Sequence, residues 1–489
     1  MHVLMAASEM APFAKTGGLA DVVSALPPAL ARKGCQTKIF LPLYLMVEQS
    51  NLPTEIVYEG IPLELGNERF VGNILRYKMS PEMEVYFVQQ QQFFYREGLY
   101  GTAQGDYADN AKRFIFFSKM ILRYCELAGY TPEVIHCHDW QTGLIPVYLK
   151  HLPRIAAQFQ KSVVVFTIHN IAYQGLFPAA LFPLTNLPPS VFTVDGFEYW
   201  GKMNFMKAGI NFADYITTVS EKYSDEIKTP EFGYGIDGIL RNRAGRLVGI
   251  LNGVDYSVWD PATDPLIVAN YSSQKLSGKK QCKADLLSEF NLPKKLMNKP
   301  LLGIISRLVD QKGFDLLAEI IDQLMQRDLA LILLGTGEQK YHTLFQTIAE
   351  EFPAKTGIRI AYDNPLAHRI EAGSDIFLMP SKYEPCGLNQ IYSLKYGTVP
   401  IVRATGGLDD TIQPFDLATE TGNGFKFVTY SPADFLKTID TALDLYRQKK
   451  IWRKLMQNAM QADYSWERSA EKYFQLYEQA LEQKRSLRY

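Results

Sequence analysis

Two short glycine turns of one design lie near the two ends of the chain, Lys15-Thr16-Gly17-Gly18-Leu19-Ala20-Asp21 and Thr405-Gly406-Gly407-Leu408-Asp409-Asp410. Each follows an apolar run typical of a β-strand and precedes a helical pattern. Glycine lets the backbone approach a ligand closely, and the start of the next helix offers unpaired N–H groups and a positive dipole end. The two turns therefore predict two phosphate-handling half-domains, with an anion lying between two domains.

Elsewhere the chain alternates short apolar or β-branched runs with longer helical patterns. This alternation predicts parallel sheets whose strands are joined by crossover helices. We expect strands at residues 3–7, 37–41, 84–88, 134–137, 162–167, 215–219, 247–251, 301–306, 330–335, 358–361, 375–379 and 399–403. The predicted fold class is α/β, with two doubly wound parallel-sheet domains in tandem.

The length of 489 residues exceeds what one hydrophobic core usually supports, which favours two or three domains. Lysine-rich polar stretches at 271–283 and 293–300 interrupt the alternation before it restarts near Leu301. We therefore expect an N-terminal domain over residues 1–250 and a C-terminal domain over 251–464. Residues 465–489 are predicted to form a helix that packs back across the domain boundary through Trp466, Tyr473, Phe474, Leu476 and Tyr477.

The composition, 47% hydrophobic and 21% charged, is typical of a globular protein with a large core. A formal net charge of −1 argues against nucleic acid or an anionic membrane as a general partner, because both require a basic excess. No apolar run approaches the roughly 20 residues that a membrane helix needs. The sequence thus predicts a protein without nucleic-acid or membrane partners.

The five cysteines, an odd number, are widely spaced and form no C-x-x-C pair. This pattern is typical of reduced thiols in a cytosol-like compartment. The N-terminus has no basic leader, and its apolar run reads as a first strand. We expect a cytoplasmic location.

Ligands of open parallel sheets bind outside the carboxyl ends of the strands, so the residues that follow each predicted strand are candidates. In the first half these are His136-Cys137-His138-Asp139-Trp140 and His169-Asn170. In the second half Arg307 and Lys312 follow one predicted strand, and Glu384 follows another. A cleft between the halves would combine imidazoles with a guanidinium, an ammonium and a carboxylate.

Arg307 and Lys312 together supply a forked donor and a point charge, the pair expected where a diphosphate is held and its charge offset as it leaves. The alternative is that each is an ordinary solvated surface charge. Glu384 has the chemistry to accept hydrogen bonds from sugar or ribose hydroxyls. Its alternative role is that of a carboxylate at a helix N-terminus, where the dipole favours it.

Two further motifs are set aside. Gly233-Tyr234-Gly235-Ile236-Asp237-Gly238 matches G-x-G-x-x-G, yet residues 228–232 before it do not read as a strand, which disfavours a dinucleotide site. His136, His138 and Asp139 are metal ligands by type, but alternate residues of a strand end leave one face for a third ligand, so no metal site is predicted. The absence of a G-x-x-x-x-G-K-[ST] loop disfavours a kinase or ATPase.

Six strings, in order and in register over essentially the whole chain, resemble those of bacterial glycogen synthases and plant starch synthases. They are Lys15-Thr16-Gly17-Gly18-Leu19-Ala20-Asp21, His136-Cys137-His138-Asp139-Trp140, His169-Asn170-Ile171-Ala172-Tyr173-Gln174-Gly175, Asn252-Gly253-Val254-Asp255, Ser306-Arg307-Leu308 and Glu384-Pro385-Cys386-Gly387-Leu388. The segment that matched G-x-G-x-x-G also resembles a loop of this family, which accounts for the false match.

The resemblance implies a GT-B glycosyltransferase in which two Rossmann-like domains face a cleft, with ADP-glucose as donor, an α-1,4-glucan such as glycogen as acceptor, and no cofactor. It implies catalytic roles for Asp139, His169, Arg307, Lys312 and Glu384. It implies donor contacts from Lys15, Gly17, Gly18, Asn252, Arg307, Lys312, Tyr362, Cys386, Gly387, Leu388, Thr405, Gly406 and Gly407. It implies acceptor or sugar contacts from Glu9, Asp21, Asp139 and Asn170.

The mechanism that follows is a retaining transfer by front-face displacement. A double displacement needs two carboxylates roughly 5 Å apart, whereas Glu384 stands with cations. Two side-chain cations and two helix ends would offset the phosphate charge without a metal ion. Three other classes remain open: a sucrose or trehalose-phosphate type GT-B transferase, a glucan phosphorylase with lysine-bound pyridoxal phosphate, and a non-enzymatic glucan-binding homologue.

Overall fold

The computed structural model describes residues 1–102 and 104–486, which divide into two compact units. The first unit comprises Met1–Val219, Ser224–Gly253 and Trp466–Tyr489. The second comprises Ser220–Tyr223 and Val254–Ser465. The chain therefore leaves the first unit and returns to it with its last helix.

The strands are β1 His2–Ala6, β2 Gln36–Pro42, β3 Glu55–Leu65, β4 Glu68–Ser80, β5 Met83–Gln89, β6 Gly101–Thr102, β7 Gly105–Asp106, β8 Val134–His138, β9 Val163–Ile168, β10 Leu176–Pro178, β11 Glu198–Tyr199, β12 Lys202–Asn204, β13 Tyr215–Thr218, β14 Leu247–Gly249, β15 Leu301–Leu308, β16 Ala330–Gly337, β17 Thr356–Ile360, β18 Ile376–Met379, β19 Val399–Arg403 and β20 Phe425–Phe427.

The α-helices are α1 Gly18–Ala31, α2 Leu45–Glu48, α3 Gln91–Phe94, α4 Asn110–Ala128, α5 Ile145–His151, α6 Pro153–Gln158, α7 Phe205–Phe212, α8 Glu221–Glu226, α9 Asp237–Asn242, α10 Ser277–Glu289, α11 Phe314–Met325, α12 Gln339–Glu351, α13 Asn364–Gly373, α14 Asn389–Tyr396, α15 Gly406–Thr411, α16 Pro432–Arg447, α17 Lys449–Gln461 and α18 Trp466–Ser486. No helix in the described part of the chain is long and apolar enough to cross a membrane.

The first unit is built on a nine-stranded sheet in the order β14-β13-β9-β8-β1-β2-β5-β4-β3. Its central strands are parallel, and β8 and β9 are buried along their whole length. Continuous apolar strands of this kind form where helices cover both faces of a parallel sheet. The seven strands predicted for this half are all present, and all lie in this sheet.

An antiparallel hairpin at one edge of that sheet was not predicted. Strands β3 and β4 pair with each other, and β4 pairs antiparallel with β5. Most residues of both strands are exposed or half-exposed, and several are charged, as is common at the edge of a sheet. A search for short apolar runs therefore does not detect them.

The second unit has a six-stranded, fully parallel sheet in the order β17-β16-β15-β18-β19-β20. Helices pack on both sides of it around two main apolar clusters. The lysine-rich stretch 271–283, which interrupts the alternation of strands and helices, leads into α10, a helix that was not predicted. Lys279 and Lys283 of α10 are buried, and Lys283 forms an ion pair with Asp375 at 2.5 Å.

The last helix, α18, lies against the first unit. The Ser469 hydroxyl donates to the Leu251 carbonyl at 2.6 Å, and Lys484 forms an ion pair with Asp214 at 3.0 Å. Of the apolar face predicted for this helix, Trp466, Tyr473, Leu476 and Tyr477 are buried, and Phe474 is half-buried.

Candidate active site

The carboxyl ends of β8 and β9 bring the histidines of the first unit together. The two strands pair in parallel with His138 opposite Thr167, so His169 follows at the same edge of the sheet. His138 Nδ1 is hydrogen-bonded to His169 Nε2 at 2.9 Å. Burial lowers the pKa of His169 to about 3, so its imidazole is neutral at physiological pH.

A third imidazole extends this cluster into the unit. His136 is hydrogen-bonded through Nε2 to the Thr167 hydroxyl at 2.6 Å and through Nδ1 to the Tyr477 hydroxyl at 2.7 Å. Burial lowers the pKa of His136 to about 3 as well. Because both of its ring nitrogens are hydrogen-bonded inside the unit, His136 has a structural role.

The proton positions on the His138–His169 pair follow from the burial of His138. His138 Nε2 is buried and has no partner among the described residues. A buried N–H without a partner is costlier than a lone pair without one, so the proton belongs on His138 Nδ1, which donates to His169 Nε2. His169 must then hold its own proton on Nδ1, which leaves that N–H to donate to a ligand.

Asp139 adopts a backbone conformation that other residues avoid, with φ 55° and ψ −178°. Such a conformation is essentially restricted to glycine and is strained for an aspartate. Its carboxylate accepts the backbone N–H of His169 at 2.8 Å. Burial is the main cause that raises the pKa of Asp139 to about 7, and the nearby Glu9 raises it further.

The buried carboxylate of Glu9 supports the first glycine turn through hydrogen bonds. Glu9 accepts the backbone N–H of Thr16 at 2.6 Å and of Gly17 at 3.2 Å. It also accepts the Tyr100 hydroxyl at 2.7 Å. Glu9, predicted to contact the acceptor or sugar, therefore supports the turn.

The two glycines of this turn face open space. A Cβ atom built on Gly17 or Gly18 meets nothing within 4 Å. Lys15 forms an ion pair with Asp21 at 2.6 Å, and both side chains are partly exposed. An anion that approaches the turn would find an ammonium and a helix N-terminus there.

Asn170 and Asn252, both predicted to serve the sugar or donor, differ in their surroundings. The Asn170 side chain accepts the backbone N–H of Ala172 at 3.1 Å, which stabilises the turn after His169. Asn252 is buried, and its Oδ1 has no partner among the described residues. A buried amide oxygen without a partner is a candidate to accept a ligand hydroxyl.

In the second unit the parallel pairing of β15 and β18 brings two loops together at one sheet edge. Lys312 Nζ donates to Glu384 Oε2 at 2.5 Å, and the Ser381 hydroxyl donates to the same oxygen at 3.1 Å. The two loops are joined further by Gln311, whose carbonyl accepts the Lys382 N–H at 2.8 Å. Glu384 and Lys312 are both mostly buried, with side-chain exposures of 8% and 16%.

The structure changes the predicted setting of two of these residues. Glu384 does not sit at a helix N-terminus, since α14 begins only at Asn389, so that alternative is wrong. Arg307 lies within β15 and not after it. Its side chain is exposed and has no ion pair or hydrogen-bond partner among the described residues, so the guanidinium is accessible to an anion.

The two glycine turns, alike in sequence, differ in their surroundings. A Cβ on Gly406 would lie 1.9 Å from the Glu384 carbonyl oxygen, and one on Gly407 would lie 2.1 Å from that of Cys386. The Gly407 N–H donates to the Glu384 carbonyl at 3.1 Å. These glycines let the turn pack closely against the Glu384 loop, a contact that the sequence did not predict.

The other predicted donor residues lie around this loop. Cys386 and Thr405 are buried, whereas Gly387 and Leu388 are half-buried. Tyr362, by contrast, is 82% exposed. A tyrosine ring this exposed is available to stack on a planar ligand.

The motifs set aside above have a structural explanation. Residues 228–232 contain no strand, and the helix that follows, α9, has six residues. Across residues 1–102 and 104–486, no group of three or more His, Cys, Asp or Glu side chains has the arrangement to hold a metal ion.

Residues 2–242 match the family model described as the starch synthase catalytic domain, and residues 289–460 match the model of glycosyl transferases group 1. A glycogen synthase of Koribacter versatilis is 49% identical over 98% of this chain and 98% of its own. One of Syntrophotalea carbinolica is 45% identical over 99% of both chains. The chain belongs to the glycogen and starch synthase family.

Solved structures agree with this assignment. The catalytic domain of starch synthase IV from Arabidopsis thaliana, bound to ADP and acarbose, is 32% identical, with a TM-score of 0.88 over 98% of this chain and 99% of that one. A sucrose-phosphate synthase from Thermosynechococcus elongatus, 18% identical with a TM-score of 0.60 over 98% of both chains, shares the fold. This member of the glycogen and starch synthase family is a glycosyltransferase with the GT-B fold.

Several side chains support the residues of the family motifs through contacts that the sequence did not predict. Tyr100 and Thr16 hold Glu9, Ser381 and Gln311 hold the Glu384 loop, and Tyr477 holds His136. Only Ser381, three residues before Glu384, had a local signal in its spacing. The others lie far apart in sequence from the residues that they contact or look like ordinary polar side chains.

Substitution of His138 tests the proton assignment in this family member. We expect His138→Phe to lower kcat by about 10-fold to 100-fold, because His169 loses the donor that holds its ring and selects its tautomer. His138→Asn, which keeps a polar group near the Nδ1 position, should retain most of the rate. Nitrogen-15 imidazole spectra should show His169 protonated on Nδ1 in the wild type and a tautomer mixture in the Phe variant. Equal spectra and equal kcat in both would contradict the assignment.

Proposed function

We propose that this protein transfers glucose from ADP-glucose to the non-reducing end of an α-1,4-glucan such as glycogen, releases ADP, and retains the anomeric configuration. The observations that support this most directly are the buried Lys312–Glu384 pair and the accessible Arg307 of β15, within a chain that matches glycogen synthases over nearly its whole length. The Arabidopsis relative was solved with ADP and acarbose, which favours the same nucleotide here.

We assign the donor diphosphate to Arg307 and Lys312. A guanidinium and an ammonium can neutralise the charge that develops on the leaving phosphate, and side chains held in place need little reorganisation during the reaction. Glu384 keeps the Lys312 ammonium in position and can accept a hydrogen bond from the donor sugar. Tyr362 is assigned to the base and Lys15 to the diphosphate, with the open side of the Gly17-Gly18 turn accommodating the donor.

In the reaction the bond between the anomeric carbon and the phosphate oxygen breaks as the acceptor hydroxyl attacks from the same face. The hydroxyl proton passes to the leaving phosphate oxygen, so ADP departs protonated and no covalent enzyme intermediate is needed. The His169 Nδ1–H donates to the sugar, and Asp139 orients the groups around it through the backbone of His169. Asp21, Asn170 and Asn252 complete the set assigned to the sugars.

We also propose a cytoplasmic location. Cys35, Cys125, Cys137 and Cys282 are buried free thiols, as expected in a reducing compartment. Two enzymatic alternatives, another GT-B transferase and a pyridoxal-phosphate phosphorylase, differ from the proposal in the glucosyl donor that they use. A glucan-binding homologue without activity differs in showing no transfer at all.

Initial rates of glucose incorporation into glycogen, measured side by side with ADP-glucose and UDP-glucose in the presence of EDTA, test the proposal. We expect transfer from ADP-glucose to exceed that from UDP-glucose, and EDTA to leave the rate unchanged because side-chain cations offset the phosphate charge. A preference for UDP-glucose would move the protein to another GT-B branch. Transfer from glucose 1-phosphate with an absorbance band of pyridoxal phosphate would identify a phosphorylase, and no transfer from any donor a binding protein.

A further inference from the structure

A short hairpin in the first unit presents a bare tryptophan to solvent. Strands β11 and β12 pair with Tyr199 opposite Lys202, so Trp200 and Gly201 form a two-residue turn. Trp200 is 86% exposed, more than any other large apolar side chain in the described part of the chain. Within the described residues its indole makes no ring or cation contact. A large aromatic side chain this exposed, without ring or cation contacts in the described part of the chain, is a candidate to bind a ligand.

The turn itself disfavours a tryptophan. Trp200 has φ 50° and Gly201 has φ 74°, the left-handed pair that a type I′ hairpin turn requires. Asn-Gly or Asp-Gly is preferred at such turns, and a bulky residue with positive φ is an outlier. Local stability therefore gives no reason for an indole at this position, and residues that break a local rule are expected where function requires them.

Hydrogen bonds to Glu198 hold the hairpin in place. The Glu198 carboxylate accepts the Gly201 N–H at 2.7 Å, and the Glu198 carbonyl accepts the buried ammonium of Lys207 at 2.7 Å. The same ammonium also donates to the Val194 carbonyl. A side chain fixed on such a support loses little conformational freedom when a ligand stacks on it.

The hairpin is also joined to the segment that follows His169. Asn204, at the end of β12, donates to the Gln174 side chain at 2.6 Å, and Gln174 donates to the Tyr234 carbonyl at 3.0 Å. The Tyr199 hydroxyl donates weakly to that same carbonyl at 3.4 Å. The tryptophan therefore stands on a hydrogen-bonded framework that includes the loop of His169.

We infer that Trp200 is an auxiliary binding site for the α-1,4-glucan, at which a sugar ring of the polymer stacks on the indole. The occupant follows from the chemistry at the turn: one flat apolar ring beside the polar side chains of Glu198 and Lys202 suits a sugar, which has an apolar face and a rim of hydroxyls. A single ring is far smaller than the roughly 800 Å² per partner that a stable protein interface buries. A second contact on a long polymer raises the effective concentration of its chain ends.

This inference rests on the proposed function, and affinity electrophoresis through a gel containing glycogen tests it without measuring catalysis. The informative variant is Trp200→Asn, because asparagine favours the type I′ turn and should leave the fold intact, which a melting curve checks. We expect glycogen to retard the wild type and Trp200→Tyr. The apparent affinity of Trp200→Asn for glycogen should be about tenfold lower than that of the wild type. Val428→Asn, which removes another exposed apolar side chain in the second unit, serves as the control and should migrate as the wild type does.

Kinetics and light scattering complete the test. The KM for glycogen should rise about tenfold in Trp200→Asn while the KM for ADP-glucose stays unchanged. Equal retardation and equal KM in Trp200→Asn and the wild type would overturn the glucan site. A dimer that becomes a monomer in Trp200→Asn would also overturn it, since a second copy would then cover the ring. Loss of glycogen retardation in Trp200→Asn, in a protein that transfers no glucose, would refute the proposed function and leave the glucan site standing.

Discussion

Substitution of Glu384 by alanine should lower kcat by about a thousandfold, the largest effect expected of any single change. The carboxylate lies 2.5 Å from the Lys312 ammonium and is mostly buried. Without it the ammonium has no fixed position opposite the leaving phosphate, and the donor sugar loses a hydrogen-bond acceptor. Initial rates at saturating ADP-glucose and glycogen measure the loss.

A graded series separates charge from shape at this position. Glu384→Gln keeps an acceptor for the Ser381 hydroxyl but removes the charge, so its kcat should fall between those of the wild type and the alanine variant. Glu338→Gln, which removes a carboxylate from an exposed ion pair with Lys340 in the same unit, should leave kcat unchanged. A kcat within a few-fold of wild type for Glu384→Ala, in a protein with an unchanged melting temperature, would exclude Glu384 from the reaction.

Substitution of Asp139 by asparagine should lower kcat/KM by about a hundredfold near pH 8 and remove a pH dependence. Burial raises the pKa of Asp139 to about 7, so the ionised carboxylate that holds the His169 backbone predominates only above that pH. The wild-type profile of kcat/KM should therefore fall on the acid side with an apparent pKa near 7. The asparagine variant should show no such fall.

The free energy of unfolding should fall as the pH rises, whereas kcat/KM should rise. Because the pKa of Asp139 is higher in the folded protein than its ordinary 3.8, the folded state binds the proton more tightly than the unfolded chain. Its contribution is most favourable below pH 4 and is lost as the pH rises to about 7, a change of about 4 kcal/mol in the free energy of unfolding. Relative to wild type, Asp139→Asn should thus gain stability between pH 4 and 8.

Denaturant unfolding across this pH range measures the difference. Asp322→Asn, at an exposed position of α11, is the matched control and should follow the wild type at every pH. A parallel pH dependence of wild type and Asp139→Asn, in both stability and kcat/KM, would show that Asp139 does not titrate near neutrality.

The sequence was informative where structure depends on local pattern. Apolar strands alternating with helices predicted both parallel sheets, because a strand covered on both faces needs apolar side chains throughout. Residues just after strands were singled out as candidates, and this placed Lys312 and Glu384 at the same edge of the second sheet, where the structure shows that they form an ion pair. The same reasoning brought His138 and His169 together.

The sequence did not predict features that depend on contacts between distant residues or on solvent exposure. Helix α10 was not predicted in the lysine-rich stretch 271–283, because the buried carbonyls and the Asp375 carboxylate that satisfy Lys279 and Lys283 come from distant parts of the chain. The hairpin strands β3 and β4 were not predicted, because strands that are largely exposed or half-exposed need few apolar residues. The hydrogen bond from the Thr16 N–H to Glu9, which supports the first glycine turn, was not predicted either.

By itself, then, the sequence determined the parallel strands, the presence of a helix after each glycine turn, and which side chains lie at the strand ends, since these depend on short-range periodicity. Only the tertiary structure decided what each group does there. Gly17 and Gly406 have similar neighbours in sequence, yet one faces open space and the other packs on the Glu384 carbonyl. The pKa of Asp139 and the tautomer of His169 likewise depend on burial and on partners brought from elsewhere in the chain, which no local pattern encodes.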